Sequence, residues 1–130
     1  ALKFGLTFFD YDNDGRPDLL LNNGHIEPEI GTIQASQTHA QPPLLFWNTG
    51  DPECYFEPVP ASRVGKDLLT PLVGRGCAYA DLDGDGDLDV VLVATGGPAR
   101  VLRNDAPPAN RAVRLDLRGD GIKSNRSAIG

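Results

Sequence analysis

Long apolar runs and clustered basic residues are both missing from this sequence of 130 residues. No segment approaches the roughly eighteen consecutive apolar residues of a membrane-spanning helix, and no signal peptide opens the chain. The 12 Lys and Arg residues form no basic stripe of the kind that nucleic acid requires. The sequence therefore predicts neither a membrane span nor a nucleic-acid-binding surface.

The residues of common catalytic and zinc sites are also scarce. The sequence contains no Gly-x-Ser-x-Gly motif, no phosphate-binding loop and no Cys-His arrangement. Its only cysteines are Cys54 and Cys77, so a further thiol pair for a zinc site is missing. An extracellular setting would permit a disulfide between them, whereas the apolar strand context of Cys77 favours a buried thiol. His25 and His39 lie in a polar stretch, where solvated side chains are the more common outcome.

One acidic pattern, in contrast, occurs twice. The motif D-x-D-x-D-G-x-x-D occupies residues 10–18 and again residues 81–89. Carboxylates at alternate positions, a glycine at the sixth position and a carboxylate at the ninth let a short turn wrap oxygen ligands around one hard cation. Calcium suits this pattern best, because it accepts about six to eight oxygens in flexible geometry, whereas magnesium demands a near-ideal octahedron. The sequence therefore predicts two calcium sites.

The motif also assigns a ligand set to each ion. The first ion is expected to take the carboxylates of Asp10, Asp12, Asp14 and Asp18, and the second those of Asp81, Asp83, Asp85 and Asp89. The carbonyl groups of Arg16 and Asp87, at the seventh position, are expected to complete the two shells. Gly15 and Gly86 are expected to adopt positive φ, which a residue with a Cβ resists.

The charge distribution favours ion binding over a solvated acidic turn. Asp and Gly are ordinary turn residues, but four carboxylates within one short loop repel one another unless a cation neutralises them. The chain carries a net charge of -6 and the two loops contain nine aspartates, so without those carboxylates the sequence would carry +3. The net negative charge of the chain therefore comes from the loops.

Each loop is expected to join two β-strands. An EF-hand would need a glutamate at the twelfth position and a helix on either side, but Leu21 and Leu92 occupy the twelfth positions here. The flanking segments are short and apolar, and residues 90–93 are rich in β-branched side chains, as buried strands are. Phe46 and Trp47 lie on a further strand, where a core position is the default.

The internal similarity extends beyond the two loops. Residues 5–10 align with 76–81 at an offset of 71, and residues 45–48 align with 101–104 at an offset of 56. The first copy therefore carries 15 additional residues, within the polar stretch 24–43, which is expected to be an exposed loop. A repeat of this size built from short strands points to the blades of a β-propeller.

The predicted fold class is all-β, with about two antiparallel propeller blades that are a fragment of a larger ring. Residues 1–60 form the first blade, with the calcium loop 10–18, the inserted loop 24–43 and a fourth strand around Tyr55 and Phe56. Residues 61–109 form the second blade, with the calcium loop 81–89. Residues 110–130 form either a fourth strand of the second blade, at 113–117, or the start of another module.

These motifs resemble a known family. The acidic loop between strands is similar to the FG-GAP or VCBS type of calcium-binding propeller repeat. Longer stretches resemble the propellers that precede an ASPIC/UnbV module, as in the cartilage acidic protein-like family. Those stretches are residues 8–25, 40–46, 73–76 and 97–104, and the segments 114–119 and 123–130 resemble the opening of the module itself.

The resemblance implies a calcium-binding propeller segment that acts as a non-enzymatic scaffold for binding or adhesion. Such a segment would lie outside the cell, at the cell surface or in the periplasm, and its partner would be a protein or a glycan. The alternative is part of a secreted enzyme, for example a carbohydrate-active one, in which the calcium loops are structural.

Two further expectations follow from the blade assignment. Because the loops belong to separate blades, each is expected to bind its ion independently of the other, and the side chain of Asp87 is expected to matter little. Because two blades cannot close a ring, the uncovered edges and faces are expected to promote self-association.

Overall fold

The computed structural model describes residues 2–105, 110, 112–113 and 115. Within that part of the chain, two antiparallel sheets contain seven β-strands, and the predicted all-β class is confirmed at this level. The four-stranded sheet consists, in order, of β1 (Lys3–Phe9), β2 (Asp18–Asn23), β3 (Leu44–Asp51) and β4 (Cys54–Pro58). The three-stranded sheet consists of β5 (Gly74–Ala80), β6 (Asp89–Ala94) and β7 (Arg100–Leu102).

The expected fourth strand of the first sheet is present. Tyr55 and Phe56 lie in β4, which pairs with β3. The expected strand at 113–117 and the module segments at 114–119 and 123–130 lie wholly or largely outside the described residues.

The two hairpins that carry the acidic loops have the same register. Phe9 pairs with Asp18 at the base of the first loop, and 71 residues later Ala80 pairs with Asp89 at the base of the second. A β-bulge interrupts both hairpins at the matching place, between Lys3 and Gly5 in β1 and between residues 74 and 76 in β5. Both loops therefore connect their two strands in the same register.

The two sheets pack on each other through one face each. The buried core between them comprises Phe9, Leu20, Leu72, Val90 and Leu92. The ring of Phe9 stacks on that of Tyr79, with a centroid separation of 5.5 Å. Apolar burial at this interface is the main force that holds the sheets together.

The backbones of β1 and β5 approach each other closely. A Cβ on Gly5 would lie 3.0 Å from the carbonyl carbon of Gly76, so only glycine fits at that position. Next to this contact the fully buried Asn22 donates hydrogen bonds from its amide to the carbonyl oxygens of Gly76, at 2.8 Å, and Val93, at 3.1 Å. These contacts fix one sheet against the other. The strands that they join, β2, β5 and β6, are strands that flank the two acidic loops.

The inserted stretch 24–43 is exposed in its middle and anchored at its ends. Residues 26–29 and 31–36 are exposed, as predicted, whereas Ile30 in the short helix α1 (Ile30–Ile33) is buried. Isolated β-bridges pair Gly24 with Ala40 and Gln41 with Leu72. The expectation of an exposed loop was therefore wrong for the ends, because they pair with neighbouring backbone.

Two short helical segments precede β5: a 3-10 helix (Ala61–Arg63) and helix α2 (Lys66–Leu69). Among the described residues, no helix has both the length and the apolar character needed to cross a membrane.

Both cysteines are free. Cys54 is exposed at the start of β4, whereas Cys77 is partly buried and packs against the core. Burial raises the pKa of the Cys77 thiol, because the charged thiolate is poorly solvated there. Of the two alternatives for Cys77, the structure thus agrees with the apolar thiol.

Candidate metal centre

Each acidic loop connects the two strands of a hairpin, as predicted. The first loop runs from the end of β1 to the start of β2, and the second from the end of β5 to the start of β6. Gly15 has φ +86 and Gly86 has φ +98, so the predicted positive φ is confirmed at both sixth positions. The left-handed bend at this position turns the chain back toward the carboxylates that precede it.

The last aspartate of the first loop is a buried anchor. Asp18 has 0% exposure and pairs opposite Phe9 at the start of β2. One of its carboxylate oxygens accepts a hydrogen bond from the backbone N–H of Tyr11 at 3.0 Å, and the other accepts one from the N–H of Asn48 at 2.8 Å. The carboxylate therefore joins the beginning of the loop to strand β3.

Three carboxylates of the first loop converge. Asp10, Asp12 and Asp18 each offer an oxygen atom, and these atoms all lie within 4.8 Å of one another. The two oxygens of Asp10 also accept hydrogen bonds from the N–H groups of Asp14, at 3.0 Å, and Gly15, at 2.8 Å. The turn thus folds back over its own first carboxylate.

Asp12 contains the least satisfied oxygen of the group. Its Oδ1 is buried and has no hydrogen-bond partner among the described residues. Burial, and then the charges of Asp14 and Asp10, raise the pKa of the Asp12 carboxyl. A buried carboxylate oxygen without a partner is costly, and a cation at this point would supply the partner.

Burial likewise raises the pKa of Asp18, to about 6, although the hydrogen bonds from Asn48 and Tyr11 act in the opposite direction. The neighbouring carboxylates of Asp12 and Asp14 raise it further. Without a cation, the charged form of this carboxyl at the end of the loop is therefore less favoured than that of an ordinary aspartate. A bound cation would stabilise that form.

The fourth predicted carboxylate of this loop has a different partner. Asp14 forms an ion pair with the guanidinium group of Arg16, and its other oxygen accepts the backbone N–H of Arg16 at 2.8 Å. The guanidinium carbon of Arg16 lies 6.0 Å from the ring centroid of Trp47, whose indole nitrogen is 3.5 Å from an Asp14 oxygen. Trp47, predicted for the core, is instead partly buried beside the loop.

The second loop repeats the convergence of the first. Asp81, Asp83 and Asp89 offer oxygen atoms that all lie within 4.8 Å of one another. Asp89 is 1% exposed, and its two oxygens accept the N–H groups of Leu82 at 2.9 Å and Asn104 at 2.8 Å. These donors correspond to Tyr11 and Asn48 of the first loop, at the offsets of 71 and 56.

The remaining predicted ligands of the second loop lie outside this group of three. Asp85 accepts the backbone N–H of Asp87 at 2.9 Å, the counterpart of the bond between Asp14 and Arg16. The carboxylate of Asp87 accepts the side-chain amide of Asn13, in the first loop, at 2.7 Å. The structure thus brings together the first, third and ninth positions of each motif.

Sequence reasoning missed the asparagines around the loops. Asn48 and Asn104 were aligned with each other, and that alignment was a signal that they share a structural role. The contact between Asn13 and Asp87 had no such signal, because 74 residues separate its partners and no counterpart exists in the other loop.

Comparisons of this chain with protein families, with curated proteins and with solved structures find no match.

Proposed function

We propose that this chain is a calcium-binding β-propeller segment and serves as a non-enzymatic extracellular scaffold for binding or adhesion. The observation that carries the proposal is the buried, unpartnered Oδ1 of Asp12. Asp12 belongs to the group of three carboxylates in the first loop. A second group with the same three motif positions occurs in the matching hairpin. Two loops of this kind fit two structural ions better than one unique reaction centre.

The donor chemistry supports calcium. Every candidate ligand is a hard carboxylate or carbonyl oxygen, and neither loop contains a sulfur or imidazole donor. In the proposed sites the carbonyls of Arg16 and Asp87 join the carboxylates. Asp14 and Asp85 are the proposed fifth-position ligands, and for Asp14 this role competes with its ion pair to Arg16. Flexible loops that offer many oxygens suit calcium, whereas magnesium retains several of its waters.

The proposed propeller architecture is supported by the way in which the sheets are stacked. Two antiparallel sheets with equivalent hairpins pack face to face, and each has an outer face with exposed apolar residues, among them Leu6 and Phe8 on the first and Val93 and Val101 on the second. Further blades would cover such faces. The proposed partner, a protein or a glycan, would bind a surface whose turns the ions hold rigid.

A thermal melt tests the calcium assignment. Extracellular calcium modules commonly have a Kd of about 10⁻⁴ to 10⁻³ M, so about 10 mM calcium would stabilise the fold by roughly 1.4 to 2.7 kcal/mol for each site. We expect calcium to raise the Tm by several degrees relative to a chelator. Asp12→Asn should lose about half of this increase, because it removes one carboxylate charge from the first group and so weakens one of the two sites.

The matched control is Asp67→Asn, which removes one exposed carboxylate outside both loops. This variant should keep the full calcium response. A Tm that calcium does not change, or an equal loss of response in both variants, would contradict the proposed site.

A further inference from the structure

The two acidic loops are directly connected. The side-chain amide of Asn13, at the fourth position of the first loop, donates a 2.7 Å hydrogen bond to Oδ1 of Asp87, at the seventh position of the second. The carbonyl group of Asp87 is a proposed ligand of the second ion. The contact therefore joins Asn13, which lies between two proposed ligands of the first site, to Asp87, which is a proposed ligand of the second.

Asn13 is not needed for the shape of its own turn. It has φ +57, and its counterpart 71 residues later is Gly84, with φ +81. Glycine adopts this conformation at least as readily as asparagine. The asparagine side chain is therefore available for a different role, and the contact that it makes is the one with the second loop.

Two other asparagines contact the first loop, and one of them, Asn104, also contacts the second. Asn104 donates its backbone N–H to the buried Asp89 of the second loop, and its side-chain amide donates to the carbonyl oxygen of Tyr11 in the first, at 2.7 Å. Asn110 donates its amide to the carbonyl oxygen of Asp12 at 2.9 Å. The first loop thus forms three hydrogen bonds with residues that lie more than 70 positions further along the chain.

We propose that the two cation loops are energetically coupled through the bond between Asn13 and Asp87, so that a cation in either loop increases the affinity of the other. This inference rests on the proposed calcium function. It replaces the expectation that the loops act independently and that the Asp87 side chain matters little.

The positive sign follows from the cost of ordering a loop. A cation that binds one loop restricts its backbone, and the hydrogen bond transmits part of that restriction to the partner loop. The second cation then has less conformational entropy to overcome, which is positive cooperativity. Repulsion between the two cations acts in the opposite direction, but the loop carboxylates neutralise each ion and salt screens the remainder.

The chain contains a probe for one loop alone. Trp47 is its single tryptophan, and the indole nitrogen lies 3.5 Å from Asp14 of the first loop. Its fluorescence during a calcium titration should therefore report occupancy of the first site. Asp81→Asn removes a first-position carboxylate of the second site without changing the first loop.

The experiment compares calcium titrations of four chains: wild type, Asp81→Asn, Asn13→Gly and the double variant. Asp81→Asn is expected to weaken binding at the first loop about fivefold, a typical coupling. In the Asn13→Gly background, which keeps the turn conformation but lacks the amide, Asp81→Asn should have a smaller effect at Trp47, because only the connection through Asn104 remains. Asp87→Ala, which leaves the carbonyl ligand in place, should reduce the coupling to the same extent.

Circular dichroism verifies that each variant is folded. If Asn13→Gly does not fold, Asp87→Ala tests the same contact from its other side. Equal affinity of the first loop in wild type and Asp81→Asn would overturn the coupling while leaving calcium binding intact. Coupling of the wild-type size in both Asn13→Gly and Asp87→Ala would overturn the assigned contact. If calcium produced neither a heat of binding nor a change in Trp47 fluorescence in the wild type, the proposed function itself would be overturned, and the coupling with it.

Discussion

At the scale of single residues, the acidic loops depend on backbone conformations that only some residues tolerate. Gly15 has φ +86, and a Cβ built on it would have no neighbour within 4 Å, so the cost of a substitution is conformational and not steric. We expect Gly15→Ala to lower the free energy of unfolding by about 1 kcal/mol, measured by urea denaturation.

Gly65 offers a matched control for that substitution. It also has open space around a built Cβ, but its φ is -68, which alanine adopts without strain. Gly65→Ala should be neutral or stabilise by up to about 1 kcal/mol, because it restricts the unfolded chain. Equal destabilisation by both substitutions would show that positive φ is not what the loop requires of Gly15.

The residue-level pattern also shows where sequence reasoning was sufficient. The motif spacing predicted the positive φ of Gly15 and Gly86, since both belong to a local turn whose geometry depends on neighbouring residues. The motif spacing could not predict that Asp14 pairs with Arg16. The ion pair competes with the ligand role assigned to Asp14, and the spacing contains no information on which interaction is stronger.

At the scale of elements, the strands were predictable and their connections less so. Short apolar segments before and after each loop, with β-branched residues at 90–93, indicated the hairpins, and the offset of 71 reproduces their observed register. The burial of Gln41 and the bridge from it to Leu72 depend on a segment 31 residues away. Contacts of this kind, like that of Asn13 with Asp87, come from tertiary packing and leave no periodic signal in the sequence.

At the scale of the whole molecule, the outer face of the first sheet exposes several large apolar residues. Leu6 and Phe8 alternate with the buried Phe9 along β1 and are 56% and 48% exposed. Phe4, on the same strand, is 41% exposed. Since apolar patches of this kind promote association, we expect the isolated chain to self-associate in sedimentation velocity experiments as its concentration increases.

Single substitutions can locate that association. Leu6→Ser should shift the equilibrium toward monomer, because it interrupts the apolar face of β1. Ile33→Ser removes an even more exposed apolar side chain, at 74%, but from helix α1 in the insertion, and should leave association unchanged. A wild-type chain that remains monomeric at every concentration would contradict the proposed propeller packing.

The stoichiometry of calcium binding tests the central claim of two equivalent cation loops most directly. Isothermal titration calorimetry of the wild-type chain should give two calcium ions per chain. Asp10→Asn and Asp81→Asn should each reduce the stoichiometry to one, since each removes a first-position carboxylate from a different group. A wild-type stoichiometry of one, with both substitutions abolishing it, would show that the two loops share a single ion and would contradict the account.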